Sequence, residues 1–137
     1  MGRLRERRVR GMKQRITQED LKQLSPEQRG KLGEWWNPDL GELVIIEGMY
    51  RVNIIRSISD FIYVEDIKNH TDTFCYNKNE LLPLLNISQC IDILYKYDCD
   101  NDIISAGAKW SVGCSGHINT ESTELIDALW LAVKSIL

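Results

Sequence analysis

No stretch of this 137-residue chain approaches the roughly 18 consecutive apolar residues that a membrane-spanning helix needs. A membrane protein of that kind is therefore not expected. The basic start is followed by polar sequence rather than an apolar segment, so no secretory signal is read there. Cys75, Cys90, Cys99 and Cys114 lie far apart with no repeating spacing, and a domain of this length needs no disulfide staples. Free thiols in a cytoplasmic protein are the expectation. Internal repeats and low-complexity tracts are absent as well, which removes solenoid and fibrous architectures.

What is present is ordinary for a globular domain: 43% apolar and 27% charged residues. At this length about 70% of the unfolded chain's surface can be buried, and one core is expected over residues 12–137. Charge is uneven. The leader 1–11 carries Arg3, Arg5, Arg7, Arg8 and Arg10 against Glu6, leaving 12 basic and 19 acidic residues in the remaining 126, a net of −7. An acidic body argues against direct nucleic-acid binding, which needs clustered Lys and Arg, and suits a partner with a basic protein surface. The leader itself reads as a basic, disordered arm or as non-native coding sequence. Arg7-Arg8 is encodable as AGGAGG, a bacterial ribosome-binding site, with Val9-Arg10-Gly11 as spacer, so translation is expected to begin at Met12.

From Met12 the spacing predicts a helical pair. Thr17 with Asp20, and Ser25-Pro26 with Gln28, have the pattern of N-caps and their reciprocal partners, and Asn37-Pro38 closes the second helix. Residues 42–47, 49–56, 61–66 and 73–76 are rich in β-branched and aromatic residues and predict antiparallel strands, as does the alternation over 108–114. Asn86 and Gln89 cap a helix beginning at Ile87, whose apolar stripe reads Ile87, Cys90, Ile91, Leu94 and Tyr95. A turn is expected over 98–102, and a last helix over about 120–136 with Glu121 and Glu124 in its first turn. The fold class is α+β: an N-terminal helical pair, an antiparallel sheet of four to five strands, and two further helices packed on the sheet.

The motifs that carry chemistry are sparse. Gly113, Ser115, Gly116 and His117, with Lys109 nearby, form a glycine-containing turn read as joining a strand to a helix, where backbone N–H groups can hold an anion or nucleotide. It lacks both the Walker A spacing and GxGxxG. Cys114 and His117 have a C-x-x-H spacing without a second ligand pair, so no metal is assigned. Nor is a catalytic residue or a cofactor assigned. Asp98, Asp100 and Asp102 open like a calcium loop, but Ile103 and Lys109 stand where Gly and Glu are required. These three, with Glu65 and Asp66, are read instead as an acidic, partner-facing surface. Of Trp35 and Trp36, at least one is expected to pack on the sheet, with Trp36 the candidate partner anchor.

Three blocks, ITQEDLKQLSPEQRGKLGEWWNPDLGELV from Ile16, LLPLLNISQCIDIL from Leu81 and ELIDALWLAVKSIL from Glu124, resemble small proteins carried by phages and prophages of Firmicutes. The resemblance begins after the arginine-rich leader. It implies a phage origin and carries over no catalytic motif; that setting and the acidic body make the expectation a non-enzymatic interaction protein, of the kind that inhibits a bacterial defence system by occluding a host protein. A protein that binds and sequesters a small ligand, for instance a nucleotide signal, through the Gly113 to His117 turn is the alternative.

Overall fold

The structure, a computed structural model, describes residues 13–49, 51–69, 73–97, 101–114 and 118–137. It is an α+β fold. In chain order it contains α1 (Gln18–Lys22), α2 (Pro26–Trp35), β1 (Leu43–Ile46), β2 (Val52–Ile58), β3 (Ile62–Asp66) and β4 (Thr73–Tyr76). There follow a 3₁₀ turn (Lys78–Glu80), β5 (Leu81–Pro83), α3 (Ile87–Lys96), β6 (Asn101–Ala106), β7 (Lys109–Cys114), β8 (Ile118–Ser122) and α4 (Leu125–Ile136). Where the sequence reading treats 12–137 as one domain with one core, the packing groups the described residues into two compact units, those within 17–84 and those within 85–137 together with residues 13–16.

The first unit holds the helical pair and a five-stranded antiparallel sheet in the order β4-β3-β2-β1-β5. Both helix starts follow from local chemistry. Thr17 and Asp20, then Ser25 and Gln28, form reciprocal capping boxes, and Pro26 occupies the first turn, where its missing N–H has no helical partner to lose. Meander connections set β1 against β2, β2 against β3 and β3 against β4, with a register irregularity between Ile55 and Ser57. One sheet face buries Val44, Ile46, Ile55, Ile62, Val64 and Leu81 around Trp36.

In the second unit α4 lies against α3, β7 and β8. Its face of Ile126, Leu129, Trp130 and Val133 is buried, and each such side chain contributes roughly 1.5–3 kcal/mol before entropy is subtracted. Residues 13–16 are tied here: Ile16 donates its N–H to the Leu85 carbonyl at 2.9 Å, and Lys13 pairs with Asp127 at 2.5 Å.

Four expectations change. The stretch 108–114 joins no single large sheet; it is the centre of a separate antiparallel sheet, β6-β7-β8. Asn101 and Asp102, read as turn, open β6, because Ile103 and Ile104 pair with Val112 and Ser111. The last helix starts at Leu125 rather than near Thr120, since 118–122 pair with β7; Glu121 therefore sits on a strand, and Glu124 is the residue preceding the helix. The buried stripe of α3 is Cys90, Ile93 and Leu94, leaving Tyr95 60% exposed.

Candidate functional site

The described acidic candidates fall in different units, and the two in the first unit already have partners. Asp98 and Asp100 lie outside the described residues, and Asp102 is exposed on β6 in the second unit. Glu65 and Asp66 are successive residues of β3 in the first unit, so the pleat sends their side chains to opposite faces. Arg56 donates through Nε to Glu65 at 2.6 Å, and the Glu65 side chain is only 13% exposed. The Asp66 carboxylate is buried and accepts the backbone N–H groups of Lys68 at 2.8 Å and Asn69 at 3.2 Å, with Arg51 at 3.8 Å. The N–H of Lys68 holds the Asp66 carboxyl below its ordinary value of 3.8 against the opposing effect of burial, with help from Asn69 and the charges of Arg51 and Lys68. Glu65 and Asp66 are thus structural carboxylates, engaged within their own unit. Trp36 is corrected likewise. It is fully buried in the core, donating its indole N–H to Glu42 at 3.3 Å, and offers no surface to a partner.

The alternative turn also changes character. Ser115, Gly116 and His117 lie outside the described residues, but the strands on either side pair antiparallel, with Cys114 opposite Ile118. Both flanking segments are strand, and among the described residues the next helix begins only at Leu125, so Gly113 is followed by no helix N-terminus that would favour an anion. Lys109, at the start of β7, pairs with Glu121 at 3.6 Å. The register does join one residue from each sequence candidate: Asp102 stands directly opposite Gly113. Among the described residues, no group of three or more His, Cys, Asp and Glu side chains could hold a metal ion.

A groove that the sequence reading passed over runs along α2 in the first unit. Pro26, Gly30 and Gly33 recur at i, i+4 and i+7, one face of the helix, and with Leu81 and Leu82 of β5 they line a hollow of about 680 Å³. Both glycines have helical backbones, and the space where a β-carbon would stand is open to 4 Å. Packing therefore does not require glycine at either position. At one side Arg29 Nη1 donates to Glu47 at 3.1 Å, and this pair also borders a neighbouring hollow of about 420 Å³. Arg29 Nε is buried and meets no acceptor among the described residues. The sequence signal was present: two glycines three residues apart inside a capped helix, each unfavourable there by roughly 1 kcal/mol relative to alanine.

Comparison with protein-family models, curated proteins and solved structures finds no match to this chain.

Proposed function

We propose that this protein acts by binding another protein rather than by catalysis, and that the groove along α2 receives a helix of a basic partner. The observation that carries the reading is the open glycine face. Two residues that cost helix stability stand where the fold has no need of them, and glycine's other use is to let a second backbone approach closely. A partner helix seated there sets one apolar side chain toward Leu81 and Leu82, a helix-in-groove mode of recognition. The charged lining of the groove, Arg29 and Lys78 against Glu34 and Glu47, balances, so the body's net charge of −7 outside the leader favours a basic partner through its approach and predicts association that weakens with salt. The setting we propose is the one the sequence resemblance implies: a phage or prophage protein in the bacterial cytoplasm that occludes a host defence effector.

The test starts with affinity capture from the bacterial host and mass spectrometry of what co-elutes in stoichiometric amount. Binding of that purified protein is then measured against Gly30→Leu, Gly33→Leu and Asp102→Asn. The groove variants are expected to lose on the order of tenfold or more in affinity while remaining folded, and Asp102→Asn to bind as wild type. Groove variants that bind normally overturn the reading. So does a preparation that carries an ultraviolet-absorbing small molecule and no protein.

A further inference from the structure

We infer that the first unit holds a small-molecule site, separate from the groove along α2, that takes a free α-amino acid with an apolar side chain. The site lies where β2 begins and β3 ends. There Arg51, Val52, Asp66, Ile67 and Lys68 line a hollow of about 450 Å³, which is in the size range of ligand pockets and shares no lining residue with the hollow along α2. Asp66 is 8% exposed, and its carboxylate is structural through one oxygen only. Oδ1 accepts both backbone N–H groups, from Lys68 and from Asn69. Oδ2 has Arg51 Nη1 at 3.8 Å, beyond hydrogen-bond reach, and accepts no hydrogen bond among the described residues. A largely buried carboxylate oxygen without a donor costs free energy that an incoming donor recovers.

The charges around Oδ2 select the donor. The Arg51 side chain is 75% exposed and Lys68 is exposed, so two cations border the hollow on its wet side. A lone cation, such as a lysine or arginine side chain of a partner, meets Asp66 but is repelled by Arg51 and Lys68. A lone anion meets the two cations but is repelled by Asp66. A group that carries both charges one carbon apart satisfies all three. Its ammonium donates to Oδ2 and its carboxylate accepts from Arg51, whose planar guanidinium favours that geometry, with Lys68 adding charge. Ammonium, carboxylate, Arg51 and Asp66 then alternate in sign around a closed ring, and the 3.8 Å gap between Arg51 and Asp66 is one side of it. Val52 and Ile67 offer aliphatic surface in the same hollow, which suits an apolar side chain. A peptide carries its terminal charges at opposite ends and cannot close the ring. The site neither needs nor blocks the proposed groove reading.

The experiment is calorimetric titration of the full chain with L-leucine, L-valine and L-methionine, beside N-acetyl-L-leucine and L-leucinamide, each of which keeps only one of the two charges. At least one of the three amino acids is expected to bind with a Kd of about 1 mM or tighter and to raise the melting temperature. Each blocked form of leucine is expected to bind on the order of tenfold more weakly than leucine itself, or not at all. Arg51→Gln alters an exposed side chain, is expected to stay folded by circular dichroism, and should weaken binding on the order of tenfold or more. Nuclear magnetic resonance gives an independent readout that needs no variant: the backbone N–H signals of Lys68 and Asn69, which rest on the Asp66 carboxylate, should shift as the amino acid is added. Absence of binding by all three amino acids, a blocked form that binds as tightly as leucine, or affinity that Arg51→Gln leaves unchanged overturns the proposal.

Discussion

Replacing Gly30 and Gly33 by alanine should stabilise this protein, and the size of the gain follows from the geometry. Both sit inside α2 with helical backbones and open space beyond the α-carbon, so a methyl group meets no clash and no strained φ. What remains is the backbone entropy that glycine loses on entering a helix, roughly 0.8–1 kcal/mol per residue relative to alanine. The double substitution should add about 2 kcal/mol, less a few tenths for coupling between neighbours on one helix face. For a urea slope of about 2 kcal/mol/M, the midpoint moves up by about 1 M, and melting rises by about 5–10 °C. Equilibrium urea denaturation followed by circular dichroism measures this, with the slope expected unchanged. A midpoint that stays put or falls refutes the argument, because it means the glycines are required by the fold. In that case the case for a functional groove collapses too. A rise, coupled with loss of partner affinity in the leucine variants, separates what the fold needs from what the groove does.

Three further outcomes are expected. Asp66 has a folded-state pKa below its ordinary 3.8, so its carboxylate contributes stability that is fully present above that value and is lost as pH falls through the lower folded value. Asp66→Asn should therefore destabilise the protein near neutral pH, with the gap from wild type closing below about pH 3.8 in denaturation curves taken across the acid range. Asn86→Ala removes the acceptor that holds the Gln89 N–H at 2.8 Å and should cost about 1 kcal/mol, read as a lower urea midpoint. Trp36→Phe should be worse than Trp130→Phe by about 1–3 kcal/mol. Both indoles are buried, but Trp36 donates to Glu42, whereas the Trp130 N–H meets no acceptor among the described residues, so removing it relieves a desolvated donor.

The parts of the fold legible in the sequence are those decided within one helical turn. Thr17 with Asp20, Ser25 with Gln28 and Asn86 with Gln89 each settle a helix start by contacts three residues apart, and all three form reciprocal boxes in the structure. Strands are less local. Thr120 reads as helix in its own neighbourhood, yet it stands opposite Val112 and its hydroxyl donates to the Ala128 carbonyl at 2.6 Å, partners eight residues away on either side. Asn101 and Asp102 carry turn-forming side chains, and only the pairing of the following isoleucines with β7 draws them into a strand.

The candidate site was less legible still, because chemistry depends on which charges already have partners. Glu65 and Asp66 read as two adjacent free carboxylates. The β2–β3 register brings Arg56, nine residues back, onto one of them, and the chain just past β3 folds its own N–H groups onto the other. No composition or spacing argument shows that consumption of charge; it needs the register. The groove fails to show for the converse reason. Its two walls, α2 and β5, lie about fifty residues apart in sequence and meet only in the fold. What the sequence does carry is a local cost, two glycines in a well-capped helix, with no local benefit. An unfavourable residue standing where the fold leaves room for a better one is the kind of local conflict expected at functional sites. That is why the binding reading rests on Gly30 and Gly33 rather than on the more conspicuous acidic run at Asp98 to Asp102.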